Sequence, residues 1–74
     1  MRGARETILQ AAMSLFARKG YAGTSTREIC ESAGVTKPVL YYYFQDKQHL
    51  YQELMIDAFG YYRKLLLRAA RSGG

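Results

Sequence analysis

The sequence predicts an all-α fold, three short helices followed by the start of a long fourth, with no sheet. Three observations carry this. Apolar residues recur at intervals of three and four in every segment between turn signals, and the period-two alternation of a strand is never sustained. Helix stop and start residues (Gly20, Ser25, Gly34, Thr36, Asp46) punctuate the chain. The single proline, Pro38, falls where the first turn of a helix tolerates a missing N–H.

The first helix is expected over about 5–19, with Ile8, Ala12, Leu15 and Phe16 on one face and Arg5, Glu6, Gln10 and Arg18 elsewhere. Gly20 follows the cations Arg18 and Lys19, with apolar Tyr21 beyond it, the pattern of a Schellman-type stop. Ser25 and Glu28 have capping-box spacing and open a second helix over about 25–33. Gly34 ends it by taking a left-handed conformation. Thr36 is placed to cap a third helix over about 36–44. Asp46 caps the fourth, over about 47–71, whose stripe is Leu50, Tyr51, Leu54, Met55, Ala58, Phe59, Tyr62 and Leu66. Run out to Ala70 it is about 36 Å long, more than three short helices can cover. Gly60 inside it costs about 1 kcal/mol relative to alanine. Residues 72–74 read as a frayed or cut tail.

Seventy-four residues make one small domain with a marginal core. Eleven Lys and Arg against six Asp and Glu leave a formal charge of +5, which points to a polyanionic partner. One cysteine excludes an internal disulfide framework or a multi-thiolate zinc site and suits a reducing cytosol. No apolar run approaches the roughly 20 residues of a membrane span, and no signal-peptide core is visible. The expectation is a cytoplasmic protein without metal or cofactor.

The informative stretch is 25–47. Two short helices joined by a glycine-containing turn, with Ile29, Ala33, Val35 and Leu40 between them, outline a helix-turn-helix from Ser25 to Phe44. Cys30 and Ala33 are the small residues needed where the helices cross. No acidic residue lies between Glu31 and Asp46, while Lys37 and three tyrosines crowd the third helix. A phenol can donate to a phosphate while its ring packs on sugar. The helix starts at Ser25, Thr36 and Asp46 add positive dipole ends, and Lys47 stands beside one of them.

The run Gly20-Tyr21, Thr24-Ser25-Thr26-Arg27-Glu28-Ile29, Ala33-Gly34-Val35-Thr36-Lys37, Leu40-Tyr41-Tyr42-Tyr43-Phe44, Lys47 and Leu50 resembles the DNA-binding domain of the TetR (tetracycline repressor) family of bacterial transcriptional regulators. The resemblance covers nearly the whole chain, from about Arg5 to the middle of the last helix, and implies a homeodomain-like fold. It also implies a homodimeric, ligand-responsive repressor whose third helix reads a palindromic operator in double-stranded DNA. In that family a larger helical C-terminal domain, none of which is present here, binds a small-molecule inducer and supplies the dimer interface. Position by position, Ser25 and Thr26 would touch phosphate and Arg27 a base or phosphate. Thr36 and Lys37 would sit at the groove edge, with Pro38 and Val39 approaching bases. Tyr41, Tyr42, Tyr43 and Lys47 match positions that mostly bind backbone. Two departures stand out: Pro38 where the family often has glycine, and Cys30 where it usually has alanine.

Plainer roles compete at several positions. Tyr43 can equally be a packing residue, Lys47 a solvated lysine, and Arg2 and Arg5 frayed termini rather than a minor-groove arm. Cys30 reads as a small buried hydrophobe. His49, the only histidine, has no evident constellation, and the expected fold keeps it from Cys30, so no catalytic residue is expected. The alternative function is a basic amphipathic helical module for acidic membranes or an acidic protein, using the last helix with Arg63, Lys64, Arg68 and Arg71. Docking of that helix on a further domain accounts for the same stripe and is preferred. Folding should need only Ile8, Leu15, Phe16, Ile29, Val35, Leu40, Phe44, Leu50 and Leu54.

Overall fold

A computed structural model describes residues 3–72. The elements are α1 (Ala4–Lys19), α2 (Thr26–Ala33), α3 (Lys37–Tyr43) and α4 (Lys47–Ser72), with no strand among the described residues. The central element is α1, which packs against each of the other three, while α2 and α3 also pack on each other. Ile8, Ala12 and Leu15 repeat at helical spacing, so one face of α1 meets Ile29 and Cys30 of α2, Leu40 of α3, Phe44 beyond it and Leu50 of α4. Leu9 and Ala11 are buried as well, because a helix contacted by three neighbours needs a wider apolar face than one stripe. Phe16, Val35 and Leu54, expected in the core, are only partly buried at its rim.

The helix stops differ from expectation in one respect. Gly20 has φ 81 and ψ 166, outside the left-handed helical region, and its N–H bonds Phe16 O in an ordinary last turn. The Schellman arrangement falls instead at Gly34, with φ 71 and ψ 32. There Val35 N–H donates to Cys30 O at 3.0 Å and Gly34 N–H to Glu31 O at 3.3 Å. Tyr21 still closes the first stop by stacking on Phe16 with ring centroids 5.6 Å apart.

Thr36 occupies the N-cap of α3, but its side chain makes no capping bond. Pro38 follows in the first turn and has no N–H to offer, which removes one of the two usual recipients of a cap. Thr36 and Phe44 flank the helix and do not belong to it. Ser72 belongs to α4 and not to a tail, while Gly73, Gly74 and the candidate arm residue Arg2 lie outside the described residues. Arg5 is held: its guanidinium donates to Glu53 of α4 at 2.9 Å and lies 5.7 Å from the Phe44 ring centroid.

With 26 residues α4 extends about 39 Å, against about 24 Å for the 16 of α1. Beyond Leu54 the stripe therefore outruns its cover, leaving Phe59 71% exposed and Tyr62 and Leu66 more than half exposed.

Candidate nucleic-acid interface

The start of α2 is built by its own sequence. Ser25 Oγ accepts from Glu28 N–H at 3.1 Å, and Glu28 Oε1 accepts from Ser25 N–H at 3.1 Å, completing the expected capping box. This engages the Ser25 hydroxyl within the protein and leaves the N–H groups of Thr26 and Arg27 as the unpaired donors of the first turn. Thr26 Oγ1 also meets the Tyr41 hydroxyl at 3.3 Å, tying α2 to α3. Arg27 pairs with Glu31 one turn on, at 3.1 Å, on an exposed surface where such a pair contributes little.

The outer face of α3 is open. Thr36, Lys37 and Pro38 are exposed, and the side chain of Lys37 has no partner among the described residues. Tyr42 is 82% exposed, and Tyr41 and Tyr43 about half as much. Pro38, Val39, Tyr42 and Tyr43 line a shallow groove of about 340 Å³. Val39 contributes one edge to it while packing partly against the core. Tyr43 meets Tyr42 edge-on at 4.9 Å, so it has both a packing contact and an exposed surface.

Lys47 is neither a solvated lysine nor a free cation. Its ammonium donates to Tyr21 O at 2.9 Å and Thr24 O at 3.1 Å, and sits 4.2 Å from the Tyr21 ring centroid. The loop it holds is otherwise determined: Thr24 is 2% exposed and its hydroxyl donates to Gly20 O at 2.8 Å. Gly23 has no room for a side chain, since a Cβ would lie 2.5 Å from Lys19 O. An ammonium has three donors, so one remains beyond the two carbonyls. Lys47, the loop from Ala22 to Thr26, Glu28, Tyr41 and Asp46 surround an open groove of about 490 Å³. Ser25, Thr26, Tyr41 and Lys47 are thus brought to one groove and Pro38, Val39, Tyr42 and Tyr43 to the other, while Arg27, Thr36 and Lys37 line neither.

Sequence reasoning missed the buried role of Thr24, the Thr26–Tyr41 pair and the Lys47 clamp. It also missed the cluster of Phe16, Tyr21 and Tyr51, whose centroids lie 5.1–5.6 Å apart. The one signal for these in the sequence is the interval from Tyr21 to Thr24, which matches the family pattern without itself naming a partner. Among the described residues no group of three or more His, Cys, Asp or Glu could hold a metal, and no helix is long and apolar enough to cross a membrane.

At the edge of the groove, Lys19 pairs with the lining residue Glu28 and joins the end of α1 to the start of α2. The Lys19 hydrogen bond, followed by the Ser25 backbone N–H, holds the Glu28 carboxyl below its ordinary pKa. A depressed carboxylate stabilises the fold above the unfolded value of about 4.3, and the contribution fades as pH falls through the lower folded value. Glu28→Gln keeps an acceptor for Ser25 N–H but cannot ionise. Wild type should therefore melt higher than Glu28→Gln at about pH 6, with the difference closing toward about pH 3. Thermal melts across that range test this, and a constant difference would contradict it.

Comparison with known proteins bears on this geometry. The model for bacterial regulatory proteins of the tetR family matches residues 8–54. IcaR of Staphylococcus epidermidis, a negative transcriptional regulator of the biofilm operon icaADBC, is 34% identical over 64 residues, covering 86% of this chain and 35% of that protein. YttP of Bacillus subtilis, described as a probable HTH-type transcriptional regulator, is 39% identical over 66 residues, covering 89% of this chain and 32% of its own length. A crystal structure described as a tetR family transcription regulator from Shewanella sp. PV-4 superposes with a TM-score of 0.74 at 36% identity, covering 76% of this chain and 30% of that one. The chain spans about a third of the length of these relatives.

Proposed function

The chain belongs to the TetR family of bacterial regulatory proteins, and from that premise we propose that it is the operator-reading part of a transcriptional regulator acting on double-stranded DNA in the cytoplasm. The observation that carries this is the pairing of two adjacent surfaces: a groove where Thr26, Tyr41 and Lys47 converge beside the free N–H groups of α2, and the acid-free outer face of α3. The first offers a phosphate helix-start donors, a hydroxyl pair and an ammonium, while its two carboxylates are engaged within the protein, Glu28 by Lys19 and the Ser25 N–H and Asp46 by the His49 N–H. The second suits a major groove, with Lys37, Thr36 and Arg27 at its edges, Pro38 and Val39 toward the bases, and Tyr41, Tyr42 and Tyr43 toward the backbone.

Residues 1–46 are the DNA-binding unit, and 47–71 lead into a C-terminal domain that pairs two copies on a palindromic operator and responds to a small inducer. Repression is the expected direction, and the exposed stripe of α4 is the surface this domain would cover. No chemistry beyond binding is required of the chain.

Duplex binding should weaken steeply with salt. If about three phosphates are neutralised per copy, log K should fall with log salt at a slope of about −2.7, so affinity drops on the order of 40-fold between about 50 and 200 mM. Fluorescence anisotropy on a mixed-sequence duplex measures this. A response flat in salt would remove DNA as the partner.

A further inference from the structure

His49 has a role that its isolation in the sequence conceals. Its backbone N–H donates to Asp46 Oδ1 at 2.7 Å, the N-cap bond of α4. Its side chain turns back, and Nδ1 accepts the Gln45 N–H at 3.2 Å. Asp46 and His49 thus form a reciprocal clasp at capping-box spacing, with an imidazole where Glu or Gln usually stands and with the donor one residue earlier than usual. The acceptor role of Nδ1 places the proton of the neutral ring on Nε2. That nitrogen faces Glu53 Oε1 at 3.6 Å, while Glu53 Oε2 is held by Arg5 of α1 at 2.9 Å. The ring edge packs on Phe44, with centroids 6.0 Å apart. The groups around His49 are therefore Asp46 and Glu53 from its own helix and cap, Arg5 acting through Glu53, and the uncharged Phe44 and Gln45 of the turn.

The clasp matters because α3 is only 7 residues long, too short to hold its own geometry. Its C-terminal side is fixed by the burial of Phe44 and by the turn through Gln45 and Asp46. We propose that His49 is a positioning residue for α3: its neutral imidazole latches the α3–α4 turn through the Gln45 amide, and its protonation releases that latch and weakens duplex binding. Protonated Nδ1 is a donor facing another donor, so the bond to Gln45 cannot survive. The gain at Glu53 is shared with Arg5 and does not restore the turn. Gln45 is exposed, so the released N–H turns to water and the turn is left without its latch. The effect on DNA rests on the function proposed above; the latch itself does not.

The test separates the two. Long-range 1H–15N spectra of the free chain report the His49 tautomer and its protonation, and the Gln45 amide is followed as pH is lowered from about 7.5 to 5. The expected result is an Nε2-protonated ring at the upper end and a Gln45 amide that exchanges about tenfold faster once the ring is protonated. Anisotropy on the mixed-sequence duplex is then run for wild type, His49→Gln and His49→Ala. His49→Gln supplies an acceptor that does not titrate, so it should hold its affinity where wild type loses about three- to tenfold relative to it, the factor of one neutral hydrogen bond. His49→Ala should be weaker than His49→Gln throughout. An Nδ1-protonated ring, a Gln45 amide indifferent to the titration, or identical pH profiles for wild type and His49→Gln would overturn the proposal. Failure to bind duplex at every pH would overturn the DNA function instead, while the tautomer and the Gln45 amide still decide the latch.

Discussion

Phe44→Ala is expected to unfold the domain. Phe44 is 1% exposed, lies between the end of α3 and the start of α4, and takes contacts from Arg5 and His49 as well as the core. Truncating a buried phenylalanine costs about 3–5 kcal/mol through lost transfer energy and the cavity left behind. A chain of 74 residues holds roughly 4–11 kcal/mol in total, so one substitution removes much or all of it. Urea unfolding followed by circular dichroism at 222 nm would show the transition lost or moved close to zero denaturant. Tyr42→Ala, two positions earlier and on the open face, should change stability by no more than about 0.5 kcal/mol. A larger loss from Tyr42→Ala than from Phe44→Ala would mean that α3 is seated the other way round.

Lys47→Ala should have two separable effects. Removing the ammonium leaves Tyr21 O and Thr24 O without their charged donor, one of them part-buried, at a cost of about 1–2 kcal/mol. The loop from Gly20 to Ser25 then loses its hydrogen bonds to α4 and keeps the Tyr21–Tyr51 ring contact, so the placement of the α2 start loosens. Duplex affinity should fall about tenfold or more across all sequences, and the salt slope should become shallower by about 1 if the remaining N–H reaches a phosphate. Lys47→Met, which keeps an apolar stem over the Tyr21 ring, should recover part of the stability and none of the slope. A loss of stability with the slope intact would assign Lys47 to the loop alone. Unchanged stability would show that the clamp is not maintained in solution.

These two residues show how far sequence reasoning reaches. Phe44 was identified as core from its four-residue interval to Leu40, and the structure buries both. Lys47 reads as a candidate phosphate contact from the helix start beside it and from the family position it matches, and the structure engages it with the chain 26 positions earlier. Thr36 shows the reverse error. A capping residue in the right position does not guarantee a capping bond, because Pro38 takes away a recipient in the following turn. The Schellman stop was expected at Gly20 and occurs at Gly34, since a glycine signals positive φ but ψ depends on where the next segment must go.

What the sequence alone determined is what acts within about four residues: the four helices, the capping box at Ser25, the left-handed stop at Gly34, the apolar face of α1 and the acid-free character of α3. Caps and periodicity are local hydrogen-bonding and burial preferences, so their partners lie in the same stretch of chain. Tertiary structure alone decided which polar groups meet: Thr26 with Tyr41 across 15 positions, Lys47 with the loop across 26, and Arg5 with Glu53 across 48. No short-range pattern encodes those pairs. They form because packing three helices against α1 brings their polar rims within hydrogen-bond reach, and the geometry of that packing is a property of the assembled core.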